Sequence, residues 1–274
     1  MRFEVLLSCM HEHDLSIIHR SNLDNVRTLV VNQCKIEHDY IIEKGIHRLY
    51  NTPTCGLSVS RNLAIQNAKA DICLLSDNDE VFQTNVEEIV LSAYERIPEA
   101  DVVVFSVNNV NKKLGNKTRK LKKYDLLRVS SQQISFKANS IKERICFDTK
   151  LGAGTDNGGG EENKFLLDCF AAGLNIYFVP LTIATLIPSE STWFKGYDEK
   201  FFFDRGKTTR YVLGKHLAIL YAAYFLLAKH NKYCEDISFV LVSKAIVKGL
   251  MTDDVNVKYS KRVAEFEKDT DNNK

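Results

Sequence analysis

The chain has 274 residues, 45% of them apolar and 26% charged, with a formal net charge of +2. That is enough apolar material to bury a core as one large domain or two smaller ones, and it excludes a wholly disordered chain. Seven cysteines stand singly at 9, 34, 55, 73, 146, 169 and 234 with no C-x-x-C pair. That pattern argues against a zinc ribbon or disulfide framework and for a reducing, cytoplasmic setting. The opening MRFEVLLSCMHEHD holds an apolar run too short for a signal peptide.

The net charge hides an uneven distribution. Residues 1–100 carry 9 basic and 15 acidic groups, residues 101–150 carry 12 and 4, and the remainder 16 of each. The basic excess gathers in NKKLGNKTRKLKK, at Lys112, Lys113 and 117–123. A solvated hairpin tip around Gly115-Asn116 is the plain reading, and a phosphate-binding patch is the sharper one.

In chain order, FEVLLSC (3–9) and RTLVVNQC (27–34) read as buried strands, with HRLYN (47–51) a short third. GLSVSRNLAIQNAKA then changes period, with Leu57, Leu63, Ala64 and Ala68 on one helical face and Ser58 or Ser60 available as cap. ADICLLS is the next strand. Thr84, with Glu87 three residues on, has capping-box spacing for a helix that Pro98 stops. DVVVFSV (101–107) is another strand. Strands alternating with helices predict a three-layer α/β sheet of mostly parallel strands.

The strand ICLLS runs straight into Asp77-Asn78-Asp79-Glu80. Ligands of open α/β sheets bind outside the carboxyl ends of strands, which is where these carboxylates fall. Crowded carboxylates repel one another, and a divalent cation removes the conflict. Further on, FDTKLGAGTDNGGGEENKF places five glycines between 152 and 160 directly before Glu161 and Glu162. Its backbone can approach a ligand closely. The two glutamates open a helix with Phe165, Leu166, Cys169 and Phe170 on its apolar face, Gly173 as C-cap and IYFVP as the following strand. They either serve the helix dipole or supply a general base.

These stretches together resemble family-2 glycosyltransferases. The resemblance is carried by Gly56-Leu-Ser-x-Ser-Arg-Asn62, Ala68-Lys-Ala-Asp-Ile-x-Leu-Leu-Ser-Asp-Asn-Asp79, Phe147-Asp-x-x-Leu-Gly-Ala-Gly154, Gly160-Glu-Glu-x-x-Phe165 and Tyr177-x-x-Pro180, in that order over residues 3–195. It implies a GT-A fold: a catalytic domain over 1–200, with a nucleotide-sugar half (1–110) and an acceptor half (111–200). A C-terminal helical region (201–262) and a flexible tail (263–274) would follow. By resemblance, Ser8, Cys9 and Met10 lie near the nucleotide base, Arg61 approaches the diphosphate, Asn78 belongs to the nucleotide-sugar site, and Asp77 and Asp79 form the D-x-D pair for Mn²⁺ or Mg²⁺. Glu162 takes the place of the catalytic base, Gly159 and Gly160 border the acceptor, and transfer proceeds with inversion. The implied donor is a nucleotide sugar, expected to be a UDP-sugar. The implied acceptor is a saccharide or lipid-linked saccharide, as in bacterial capsule or exopolysaccharide synthesis.

The family has an aspartate where Glu162 stands, so the extra methylene leaves Glu161 open as the base. Relatives also carry a histidine after the strand ending at Pro180, where LTIATLIPSEST has none. The competing reading is a non-catalytic nucleotide-sugar- or glycan-binding protein on the same fold. Nucleic-acid binding rests only on 112–123, without interleaved aromatics.

Three lookalikes fall away. Gly206-Lys207-Thr208 lacks the earlier glycine of a P-loop, since Phe201 stands there. Gly152 to Gly158 lacks dinucleotide spacing, and His11-Glu-His13-Asp14 reads as a surface turn. Cys9, Cys34 and Cys73 read as small core residues. Trp193, with Phe194 and Tyr197, would either stack on a sugar or pack between the halves. The apolar stretch 214–230 falls short of a bilayer span. Tyr221 and Tyr224 between Lys215, His216, Lys229 and His230 suit an interfacial helix at the inner face of the cell membrane. Packing against the catalytic domain or in a homodimer competes with that reading, and 237–251 could pair with the stretch.

Overall fold

The computed structural model describes residues 1–110, 114–155, 157–187 and 196–252. In chain order the elements are β1 (Phe3–Met10), α1 (Ser16–Arg20), β2 (Thr28–Gln33), β3 (Tyr40–Lys44), β4 (His47–Thr52), α2 (Leu57–Asn67), β5 (Ile72–Ser76), β6 (Glu80–Phe82), α3 (Val86–Arg96) and β7 (Val102–Asn108). Then come β8 (Arg119–Lys120), β9 (Ile134–Lys137), α4 (Ala138–Ile141), α5 (Glu161–Ala171), β10 (Ile176–Leu186), α6 (Glu199–Ala228) and α7 (Phe239–Leu250). Two compact units result, one of Met1–Phe147 with Glu162–Ser189, the other of Asp148–Glu161 with Glu190–Lys274.

The first unit holds a mixed sheet of order β3-β4-β2-β1-β5-β9-β7-β10-β6, with β8 beside β10. Strands β4, β2, β1 and β5 run parallel. Their near-continuous apolar runs fit strands covered on both faces: every residue of β2 and β5 is buried. Antiparallel β9 sits between β5 and β7. Val5, Leu7, Val30, Leu74, Val86, Val90 and Phe105 share one core. At the amino end of β1, buried Glu4 accepts from Arg48 at 2.8 Å and from the Lys69 N–H at 2.8 Å, tying β1, β4 and the segment that follows α2.

Several expectations need correction. Helix α2 is capped by Gly56 at φ 103°, with no side-chain cap, and Ser58 and Ser60 lie buried inside the helix. Its buried face is Ser58, Ser60, Arg61, Ala64 and Ile65, so Leu57 and Leu63 are only partly covered. Helix α3 begins after Asn85 rather than at Thr84, and no capping box forms. Phe170 on α5 is exposed, while Phe165, Leu166 and Cys169 are buried as expected. Strand β10 continues past Pro180 to Leu186; the proline falls where its register with β7 shifts, a position a missing N–H tolerates. Gly173 does terminate α5, at φ 80°.

In the second unit, α6 and α7 pack around Phe202, Phe225, Tyr233, Val242 and Ile246. Gly206 lies mid-helix, which disposes of a phosphate loop there. A Cβ on Gly206 would stand 2.4 Å from the Ile246 carbonyl, and one on Gly249 2.1 Å from the Phe203 carbonyl. Two glycines thus let the helix backbones touch. At Gly214 the backbone leaves helical values (φ 73°, ψ 170°), kinking α6. Tyr197 packs on Phe201, Phe202 and Tyr233; Trp193, Phe194 and the tail 263–274 lie outside the described residues.

Candidate active site

The carboxyl end of β5 delivers Asp77 to three donors. Arg61 Nη2, from α2, donates to both its oxygens at 2.9 and 3.1 Å. Ser131 Oγ and Gln132 Nε2 donate to Oδ2 at 3.2 and 3.3 Å. The Arg61 side chain is 1% exposed and that of Asp77 20%. Arg61 is therefore an interior cation committed to Asp77. Helix α2 can hold it because Gly56 starts the helix close to β2, where Gln33 Nε2 donates to the Gly56 carbonyl at 3.2 Å.

A second set of contacts carries the site to α5. The Arg61 guanidinium lies over the Phe147 ring, 5.4 Å from its centroid. Phe147 stacks on Phe165 at 4.3 Å with rings 3° from parallel. The Asn62 side chain grips Phe147 at both N–H and carbonyl, at 2.8 and 2.9 Å. On the other side, Asn163 Nδ2 donates to the carbonyls of Leu126 and Val129 at 2.9 and 3.3 Å, two residues before Ser131. The first turn of α5 and the Asp77 turn are thus clamped to the same two segments. Within that turn Glu161 is buried at 6%, whereas Glu162 keeps partial solvent access.

Glu80, one residue past Asp79, is fully buried, and its backbone heads β6 against β10. Burial first, and the Asp77 charge second, push its carboxyl well above the ordinary range. Asn78 is exposed. The Asp79 carbonyl accepts from the Ile187 N–H at 2.8 Å, so the end of β10 borders the acidic turn.

At the end of β1, Ser8 and Cys9 are buried and Met10 is 48% exposed. Ser8 Oγ accepts from Ser60 Oγ at 2.9 Å. The Cys9 thiol faces Asn32 Oδ1 at 3.8 Å, and burial pushes its pKa far up, so it is inert. The His11–Asp14 turn is fixed by Asn32, which accepts from the Glu12 N–H at 3.0 Å and donates to the Glu12 carbonyl at 2.7 Å. Sequence reasoning missed Asn32, Ser131, Gln132 and Asn163: they are uncharged polar residues far along the chain from what they touch. The one available signal was polar residues at the ends of apolar strands.

In the second unit Gly159 and Gly160 both have positive φ. A Cβ on Gly160 would meet Thr208 Cγ2 at 3.2 Å, whereas around Gly159 there is open space. In the basic run, Arg119 is neutralised by Asp125 at 2.7 and 2.8 Å, and Lys117, Lys122 and Lys123 are exposed; Lys112 and Lys113 lie outside the described residues.

Among the described residues no three His, Cys, Asp or Glu side chains form a ready metal cage. Asp77 is engaged by three side chains, and half-buried Asp79 is the second carboxylate of the D-x-D turn. That donor set fits a hard cation completing its shell with substrate phosphates and water, Mg²⁺ or Mn²⁺. It does not fit a resident tetrahedral zinc.

The glycosyl transferase family 2 pattern matches residues 16–154, 139 of the 274 residues, and the chain belongs to that family. No curated protein matches it. Among solved structures, S. aureus TarS aligns with a TM-score of 0.57 at 14% identity, over 93% of this chain and 50% of TarS. TarS 1-349 in complex with UDP-GlcNAc aligns with a TM-score of 0.59 at 14% identity, over 91% of this chain and 80% of that one. The complex of the same fragment with UDP aligns with a TM-score of 0.55 at 13% identity, over 92% and 81%. The likeness is one of fold, the GT-A arrangement, and the chain spans about half the length of full TarS.

Proposed function

We propose that this protein is a metal-dependent, inverting glycosyltransferase that moves a sugar from a UDP-sugar to a hydroxyl of a saccharide or lipid-linked saccharide. The observation that carries the reading is the double clamp. Asp77 and the first turn of α5 are anchored to the same segments, through Arg61–Phe147–Phe165 on one side and Ser131 and Asn163 on the other. Membership of family 2 and the UDP-GlcNAc bound by the similarly folded TarS fragment support the donor class.

In this mechanism Asp79, beside the end of β10, would hold Mn²⁺ or Mg²⁺ together with the donor diphosphate. When bound, the cation offsets charge developing on the leaving group. Arg61, Ser131 and Gln132 fix Asp77, so the turn carrying Asp79 needs no reorganisation as that charge develops. Glu162, the half-exposed member of the glutamate pair, takes the acceptor proton as the hydroxyl attacks the anomeric carbon. A positioned base contributes roughly 10²–10⁴-fold in rate. Buried Glu161 supports the helix start. A lipid-linked acceptor in polysaccharide synthesis would place the enzyme at the inner face of the cell membrane.

Turnover of a panel of UDP-sugars tests the reading. Glu162→Gln should lower kcat about a hundredfold or more while UDP still binds. Unchanged kcat in Glu162→Gln sinks the base assignment, and UDP binding without turnover of any donor favours a binding protein on this fold.

A further inference from the structure

The second unit carries an apolar surface that the transferase chemistry does not use. Beyond the kink at Gly214, residues 215–228 of α6 bury Ala218, Ala222 and Phe225 and turn Ile219, Leu220, Tyr224 and Leu227 outward, at 51, 67, 52 and 73% exposure. On α7, Val242, Ala245 and Ile246 face inward, while Val240, Val247 and Met251 face out at 60, 50 and 75%. Exposed side chains at i, i+4 and i+7 on α6 (Leu220, Tyr224, Leu227) and at i, i+7 and i+11 along α7 to its C-cap (Val240, Val247, Met251) make a stripe along each helix, not isolated exceptions.

Charge identifies what covers these stripes. Lys215 and His216 stand exposed at the start of the α6 stripe, and Lys244 and Lys248 lie exposed among the apolar residues of α7. Neither 215–228 nor Phe239–Leu250 contains a carboxylate; the nearest acids in sequence, Glu235 and Asp236 before α7 and Asp253 and Asp254 after it, lie outside both stretches. Two copies meeting face to face would set lysine against lysine with no acid between. An anionic lipid surface accepts both the apolar side chains and the lysines. By length and composition alone the whole of α6, 30 residues, could cross a bilayer, so the break at Gly214 decides between crossing and lying flat. Fourteen residues from 215 to 228 extend about 21 Å, short of the ~30 Å hydrocarbon core. The kink at Gly214 keeps the rest of α6, packed against α7 at Gly206, from adding to that span.

We propose that the outward faces of 215–228 and α7 form a monotopic docking surface for an anionic phospholipid bilayer. The proposal goes beyond the transferase reading and does not rest on it. The test is co-sedimentation of the whole chain with phosphatidylglycerol-containing vesicles and with pure phosphatidylcholine vesicles. Strong binding to the anionic vesicles and weak binding to the neutral ones is expected. Leu220→Glu with Leu227→Glu should weaken binding at least about tenfold. Lys244→Glu with Lys248→Glu should weaken it roughly twentyfold or more and abolish the preference for anionic lipid. All four side chains are exposed, and thermal melts of each variant confirm folding. A chain that stays in the supernatant with anionic vesicles overturns the proposal, as does equal binding to both vesicle types. So does a non-binding dimer that Leu220→Glu with Leu227→Glu splits, which would assign the face to a second copy. Donor turnover measured on the same samples separates this outcome from failure of the transferase reading.

Discussion

Replacing each aspartate of the acidic turn by asparagine should produce two different defects. Asp77→Asn keeps the shape but removes the negative charge that faces a guanidinium 1% exposed. It also turns one acceptor oxygen into a donor amide against Arg61, Ser131 or Gln132. Breaking a fully buried pair costs ~3–5 kcal/mol; discounting for the partial exposure of Asp77 leaves about 2–4 kcal/mol. Asp79→Asn removes the carboxylate assigned to the cation. Turnover should fall by roughly 10²-fold or more through lost charge stabilisation. Urea melts paired with donor turnover read both effects. Asp77→Asn as stable as the parent chain would refute the clamp, and Asp79→Asn with full metal-dependent turnover would refute the division of labour.

Gly249→Ala should destabilise the second unit. Its new methyl would meet backbone at 2.1 and 2.9 Å, and overpacking of ~1–3 kcal/mol outweighs a helix-propensity gain below about 1 kcal/mol; a fall in the urea midpoint checks this. Glu80→Gln should change how stability depends on pH in metal-free buffer. Because the folded pKa of Glu80 is raised, its contribution is fully present below the unfolded value of about 4.3 and declines as pH rises toward the folded value. Glutamine does not ionise, so unfolding midpoints of the variant should lose that decline; an unchanged profile contradicts the raised Glu80 pKa. Phe147→Leu should loosen the contact between Arg61 and α5, lowering kcat more than it raises the KM for donor, as kinetics at varied UDP-sugar will show.

What the sequence revealed and what it hid divides along physical lines. Strands β1, β2, β5 and β7 were legible because a strand buried on both faces must be a continuous apolar run. Strand β3 escaped because all five of its residues are exposed at the sheet edge, and β6, β8 and β9 because two to four residues carry no period. The candidates Asp77, Asp79 and Glu162 stood out in the sequence as charge beside a strand end and a glycine loop. Their anchors did not, since Ser131 meets Asp77 across 54 positions and Asn62 meets Phe147 across 85. Arg61 stood out as a site candidate but its burial was not legible, because a charge in an amphipathic stretch is ordinarily placed on the solvent side. The glycine contact between α6 and α7 was equally hidden: Gly206 and Gly249 gain meaning only when two distant helices touch.

Calorimetric titration of UDP into the protein, with Mn²⁺ and then with a chelator, probes the acidic turn as a cation-bridged diphosphate site. Binding that weakens about a hundredfold or more on chelation, and that Asp79→Asn reduces to the chelated level, is the predicted result. Equal affinity with and without the metal, or an Asp79→Asn variant that binds UDP with Mn²⁺ as the parent chain does, would contradict it.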